Sequence, residues 1–215
     1  MKFVVTLALT IGALFHGGCT SAPADRRAEP VNNVYSAVTR IPEPLRRVAV
    51  LPVTCEDDSD AEAGRDALQP VLLAELAKTS AFEVVPVSPE QLCAITGRSA
   101  WAAHEVLPSD FFSRMREATG CDAVLFCRLK QFRAYPPLAV EWDLKLVDAN
   151  QRAIVWATDE VFDSGEPSVA SAARRYYVQA IGHTPVVGDP GTILMSPRLF
   201  GQYAAAASLT ALPAH

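Results

Sequence analysis

Apolar residues in this chain fall into blocks separated by stretches with no period. The first block, Phe3 to Phe15, is uncharged and follows the basic Lys2. It is shorter than the ~20 apolar residues a spanning helix needs, so it reads as the hydrophobic part of a secretion signal and not as an anchor. From Thr20 to Pro44 the chain is rich in Pro, Ala, Asn and Arg and has no sustained apolar period, which reads as a flexible tether. Regular patterning begins at Arg46. The segment RRVAVLPVT, Arg46 to Thr54, is apolar on both faces, as a central parallel strand requires. Leu68, Leu72 and Leu76 then recur at helical spacing between Gly64 and Thr79, with Val71 and Leu73 widening the stripe and Pro70 predicting a late start or a kink.

FEVVPV, Phe82 to Val87, predicts a second strand. Ser88-Pro89-Glu90-Gln91 has the form of a capping box with proline at the first helical position, so a short helix should run to Thr96 and stop at Gly97. Ser109 precedes a helix carrying Phe112, Met115 and Ala118, which Gly120 terminates. The second half changes character. Asp122 to Tyr135, Leu138 to Asp148 and Ala153 to Phe162 read as three long strands joined by turns at Pro136-Pro137 and Ala149 to Arg152, an antiparallel meander. In the middle strand Val140, Trp142, Leu144 and Leu146 alternate with Glu141, Asp143 and Lys145, which predicts one wet face. Val169 to Ile181 and Ser196 to Leu209 read as helices, with a loop from His183 to Met195 between them. The expected fold is α/β: a mixed five-stranded sheet, parallel in its first half and an antiparallel meander in its second, packed with helices.

Cys19 gives the apolar leader its meaning. Together with Gly17 and Gly18 it resembles a bacterial lipoprotein signal, although His16 stands where that motif has an aliphatic residue. The resemblance implies that residues 1–18 are a signal peptide and that Cys19 becomes a lipidated N-terminus carrying palmitate-type chains. Residues 19–44 would be the tether and 45–215 a single α/β domain with a C-terminal helix. Each buried CH₂ contributes ~0.8 kcal/mol, so two or three chains hold such a protein on a membrane essentially permanently. Ordinary secretory cleavage after Ala24 is the alternative, since Ala22-Pro23-Ala24 has the small-x-small form. Within the lipoprotein resemblance, Thr20 in place of the Asp that often signals inner-membrane retention implies the outer membrane, facing the periplasm.

The composition suits a globular domain: half of the 215 residues are hydrophobic and 20% are charged. The formal net charge is -5 and no basic stripe is present, which argues against a nucleic-acid partner. Besides Cys19 there are Cys55, Cys93, Cys121 and Cys127. Cys121 and Cys127 are expected on the same face of one strand, too far apart to bond. A Cys55–Cys93 bridge is one reading, and four buried free thiols the favoured one.

RRVAVLPV at Arg46 to Val53, FEVVPV at Phe82 to Val87, ATGCDAVLFCRL at Ala118 to Leu129 and KLVDANQRAIVW at Lys145 to Trp156 resemble one superfamily of bacterial envelope lipoproteins. It contains the curli-secretion lipoprotein, the penicillin-binding-protein activator lipoprotein and the N-terminal domain of TolB-like proteins. The match runs from about Arg46 to Ala180. Its turn departs from the family at Asn150-Gln151, where glycine is usual. The resemblance implies a layered α/β sandwich without cofactor that acts through contacts with envelope proteins: an adaptor or assembly factor. A subunit of an oligomeric export structure is the first alternative, and a periplasmic hydrolase the second.

Catalytic signatures are weak. A thiol paired with His104 or His183 would be the form of a nucleophilic site, but no local motif supports it. Neither Cys-x-x-Cys nor His-x-x-x-His spacing occurs, so no metal site is expected. Glu56-Asp57-Asp58-Ser59-Asp60 reads as a solvated loop with acids at a helix N-terminus, and Asp143 and Asp148 as a strand-face and a turn residue. The His183 to Met195 loop is the candidate recognition element, against the plainer reading of a passive connection.

Overall fold

In the computed structural model, which describes residues 32–55, 59–180 and 188–214, a mixed sheet of seven strands is covered by helices. The strands are β1 (Val34–Ser36), β2 (Arg47–Val50), β3 (Thr54–Cys55), β4 (Glu83–Pro86), β5 (Ala123–Arg133), β6 (Ala139–Asp148) and β7 (Ile154–Asp163). The helices are α1 (Ser59–Thr79), α2 (Pro89–Thr96), α3 (Phe111–Thr119), α4 (Pro167–Ala180) and α5 (Pro197–Leu209), with a 3₁₀ turn at Pro190–Leu194. Strand order is β1-β7-β6-β5-β2-β4, and β3 pairs with β5.

β2 lies parallel between β4 and β5, and β5, β6 and β7 form the antiparallel meander. The sheet departs from the five-stranded expectation at two places. β1 forms inside the stretch expected to be tether and pairs antiparallel with β7, so the first half of the chain is not wholly parallel. Its entry is fixed by the Glu160 carboxylate, which accepts from the Asn32 and Asn33 amides at 3.1 Å. The first apolar block is also split into β2 and β3. Pro52 has no N–H to continue the ladder, and pairing resumes only at Thr54.

α1 begins at Ser59, earlier than the leucine stripe suggests, and passes through Pro70. Pro70 and Asp66, whose carbonyl loses its helical amide partner there, are both exposed residues. The capping box on α2 is as expected: Ser88 Oγ accepts from the Gln91 amide, and Gln91 Oε1 accepts from the Ser88 amide. Gly97 (φ 86°) and Gly120 (φ 67°) close α2 and α3 in the left-handed region, which favours glycine.

Two cores result. Leu68, Leu72 and Leu76 of α1, with Phe200 and Tyr203 of α5, pack on one sheet face around Trp142 and Trp156. Leu92, Phe111 and Met115 of α2 and α3 cover the other face over Ala49, Val124 and Phe126. Cys121 lies in the second core and Cys127 in the first, on opposite faces. The same-face expectation fails because Cys121 precedes β5, and period two holds only inside the strand. None of the four described cysteines is in a disulfide, and Cys93 is exposed, so neither a Cys55–Cys93 bridge nor four buried thiols is found.

Glu75 ties three helices together. It is 6% exposed, and its Oε1 accepts from Lys78 Nζ at 2.6 Å and from Gln202 Nε2 at 2.9 Å. Burial, reinforced by the Glu75 charge, pushes the Tyr176 phenol up to about 12. A tyrosine raised from its ordinary ~10 contributes stability that is fully present below pH ~10 and lost as pH rises through the folded value. Urea midpoints measured from pH 9 to 12 should therefore fall more steeply in the parent chain than in Tyr176→Phe. Parallel curves would remove this role for Tyr176.

Candidate functional site

The chain leaves β2 toward α1 on one sheet face and leaves β4 toward α2 on the other. Adjacent parallel strands whose outgoing connections part to opposite faces open a crevice at their C-terminal ends, the usual ligand position in open α/β sheets. A cavity of about 230 Å³ lies there, walled by Leu51, Val53, Leu72, Leu73, Val87 and Pro89. Its polar side chains are already engaged: Gln69 Oε1 accepts from the Val53 amide at 2.9 Å, and Gln91 is held in the capping box. The crevice is thus an apolar slot.

Beyond Val53 a second, polar cavity of about 490 Å³ is bounded by Cys55, Glu62, Arg65, Arg98, His104 and Arg128. Val53 borders both cavities, and α1 supplies Glu62 and Arg65 to one and Gln69, Leu72 and Leu73 to the other. The spacing places these side chains along one side of the helix.

The polar end is stiff. Arg98 Nη2 donates to Glu105 Oε1 at 2.9 Å, and its guanidinium stacks 4.0 Å from the Trp101 ring centre. Glu105 Oε2 accepts from the Ala102 amide at 2.7 Å, and Trp101 Nε1 donates to Thr96 Oγ1 at 2.9 Å. The Ala102 N–H, then Arg98 and the nearby His104, hold the Glu105 carboxyl below the usual carboxylate range. Arg65 donates through Nε to Asp66 at 3.0 Å and through Nη1 to Cys55 Sγ at 3.9 Å. Val106, one residue past Glu105, is 95% exposed.

Among the residues singled out in the sequence, Cys55 and His104 both line this cleft. Cys121 and Cys127 are each 2% exposed, and burial raises both thiols, Cys127 with a further contribution from Asp143. Asp143 holds Lys145 at 3.1 Å, while Asp148 accepts the Asn150 and Gln151 amides in its turn. Cys19, His183 and Glu56 to Asp58 lie outside the described residues. The described end of the His183 to Met195 loop is not a free connection: Ile193 is fully buried, and Asp189 Oδ1 accepts from the Gly191 amide at 2.8 Å. Sequence reading missed Arg65, Arg98 and Arg128. They are dispersed along the chain, and only the paired strands bring them together.

The sheet face expected to be wet is half covered by its own ion pairs, with Asp143 only 9% exposed. At the register shift between Leu129 and Gln131, Lys130 Nζ pairs with Glu141 of β6 and, beyond it, with both Asp159 oxygens of β7 at 3.0 Å. Glu141 foremost, with Asp159, raises the Lys130 ammonium above its ordinary range. Lys130→Met would leave two carboxylates facing each other, and the expected loss is about 1–2 kcal/mol, discounted for partial exposure. Denaturant titration at low and high salt checks this, since salt should shrink the difference. An unchanged midpoint would make the network energetically idle.

No family model and no curated protein matches the chain. Solved structures it is similar to include the PelC dodecamer of Paraburkholderia phytofirmans, 13% identical over 85% of this chain and 96% of that one, TM-score 0.45. Lipoprotein GNA1162 of Neisseria meningitidis is 15% identical over 65% of this chain and 99% of that one, TM-score 0.41. LpoB of E. coli is 15% identical over 75% and 82%, TM-score 0.37.

Proposed function

We propose that this chain is a lipid-anchored protein of the bacterial envelope, held through Cys19 at the outer membrane and facing the periplasm. There it works as a non-enzymatic adaptor or assembly factor. The observation that carries the reading is the combination of a signal ending at Cys19 with a domain whose solvent-open cleft is braced for contact. One end has apolar walls, and at the other Arg65 is held by Asp66 and Arg98 by Glu105 and Trp101. Fixed cations and apolar walls favour recognition, because little side-chain freedom is lost on binding.

The test is fractionation of the full chain from its own envelope. The parent protein should sediment with membranes, and Cys19→Ala should appear in the soluble periplasmic fraction. Unchanged sedimentation of Cys19→Ala would overturn the lipid anchor. Affinity capture with the two forms then asks whether envelope proteins accompany the domain, and native mass distinguishes a fixed oligomer from a monomeric adaptor.

A further inference from the structure

We propose that the turn joining β5 to β6, Tyr135-Pro136-Pro137, rests in the lipid headgroup layer of the membrane that holds Cys19, and so fixes which end of the domain meets that membrane. The proposal rests on the lipid-anchor reading and adds an orientation to it. The first observation is where the chain enters the fold. The Asn32 and Asn33 amides donate to Glu160 and β1 runs antiparallel to β7, so the segment coming from Cys19 reaches the domain toward the C-terminal end of β7. Asp163, three residues beyond Glu160, pairs with Ala139, just after the turn. Only residues 20–31 separate Cys19 from Asn32, where the sequence alone suggested a lead running to Pro44. Those thirteen Cα steps from 19 to 32 reach ~45 Å even at full extension, about the ~40 Å diameter of a domain this size. Full extension is also the entropically least favourable arrangement of a chain, so this end of the sheet is the one kept nearest the lipid.

The turn itself suits that layer. Tyr135, Pro136 and Pro137 are all exposed, Tyr135 at 75%, and Val161, on β7 beyond the residues that β1 covers, is exposed as well. Neither proline has an N–H, the Pro137 carbonyl accepts from Arg133 Nε, and the Leu138 carbonyl accepts from the Ser164 amide. Positions 136 and 137 therefore strand no backbone donor in a poorly hydrated layer, which is the penalty that keeps ordinary loops in water. A tyrosine ring can be buried there while its hydroxyl stays among the headgroups. Arg133 Nη2 is paired with Asp163 at 2.8 Å, so the turn brings no unpaired cation and the contact should depend on neither anionic headgroups nor salt. Because β2, β4 and β5 are parallel, the docked domain carries the crevice beyond β2 and β4 at its membrane-proximal end.

The test uses the full lipidated chain in vesicles of phosphatidylethanolamine and phosphatidylglycerol. A photoreactive benzophenone amino acid replaces Val161 or, as the control, Val178, which is 52% exposed and lies eleven residues along α4 from Pro167, about 16 Å. Lipid adducts from position 161 should exceed those from 178 at least about fivefold, at low and high salt alike. Tyr135→Asp should lower the adduct from 161 at least about fivefold, and Tyr135→Trp should keep it. Both replace an exposed side chain, and denaturant midpoints equal to the parent's confirm that the fold is intact. Equal lipid adducts from the two positions, an adduct indifferent to Tyr135→Asp, one that vanishes at high salt, or capture of protein in place of lipid from position 161 would each overturn the docking. If the parent still sediments with membranes and Cys19→Ala does not, the anchor stands without it. Sedimentation of Cys19→Ala with membranes would instead remove the anchor on which the docking rests.

Discussion

Trp156→Ala is expected to cost about 3–5 kcal/mol, the range for deleting a buried tryptophan. Trp156 is fully buried in β7 opposite Leu146, in the core under α1 and α5. Truncation removes its transfer free energy and leaves a void that the surrounding helices close only in part. Its Nε1 also donates to the Ala211 carbonyl at 3.0 Å, and the same terminal segment is held by the Ile41 amide donating to the Ala214 carbonyl at 2.8 Å. Losing the indole therefore loosens the C-terminal seam as well. A comparison with Trp142 separates packing from polarity. Trp142 is equally buried, but its Nε1 has no partner among the described residues. Trp156→Phe should lose a hydrogen bond worth about 1 kcal/mol, whereas Trp142→Phe also sheds an unsatisfied donor whose burial costs about 1–3 kcal/mol. Denaturant unfolding should accordingly rank Trp142→Phe above Trp156→Phe. The opposite order would show that Trp142 Nε1 has found a partner.

Gly201→Val is the second large effect, a loss of about 3 kcal/mol or more from overpacking. Gly201 is buried on α5 where it crosses α1, and a Cβ there would stand 2.3 Å from Leu68 Cδ2 and 3.1 Å from Leu68 Cδ1. A flexible side-chain tip would ordinarily retreat, but Leu68 is fully buried and has no free volume to enter. Gly201→Ala gains up to ~1 kcal/mol of helix propensity and should therefore lose less than valine. The check is a double-mutant cycle with Leu68→Ala, which empties the space the new side chain needs. Strong favourable coupling is expected, and additive losses would locate the damage somewhere other than the α1–α5 contact.

Much of the fold was legible because its signals are local. The Ser88–Gln91 box, the left-handed glycines at Gly97 and Gly120, and the meander over Ala123–Arg133, Ala139–Asp148 and Ile154–Asp163 depend on neighbours in sequence. β1 was not legible. Val34–Ser36 has too few residues to show a period, and its strand exists because β7 offers an open edge and Glu160 fastens Asn32 and Asn33. The placement of Cys121 failed for a related reason, since strand periodicity says nothing about a residue two steps outside the strand.

The sequence alone determined the order and type of the main elements and the α/β class, because capping and alternation act over a few residues. Tertiary structure decided which residues share the cleft. Arg65, Arg98 and Arg128 sit on a helix, a loop and a strand, and only the parting of the connections after β2 and β4, with β3 laid beside β5, brings them to one sheet end. The physical reason is the range of the forces involved. Local hydrogen bonding and steric preference are encoded residue by residue, whereas the juxtaposition of charges follows from how the sheet and its two helical layers exclude water together.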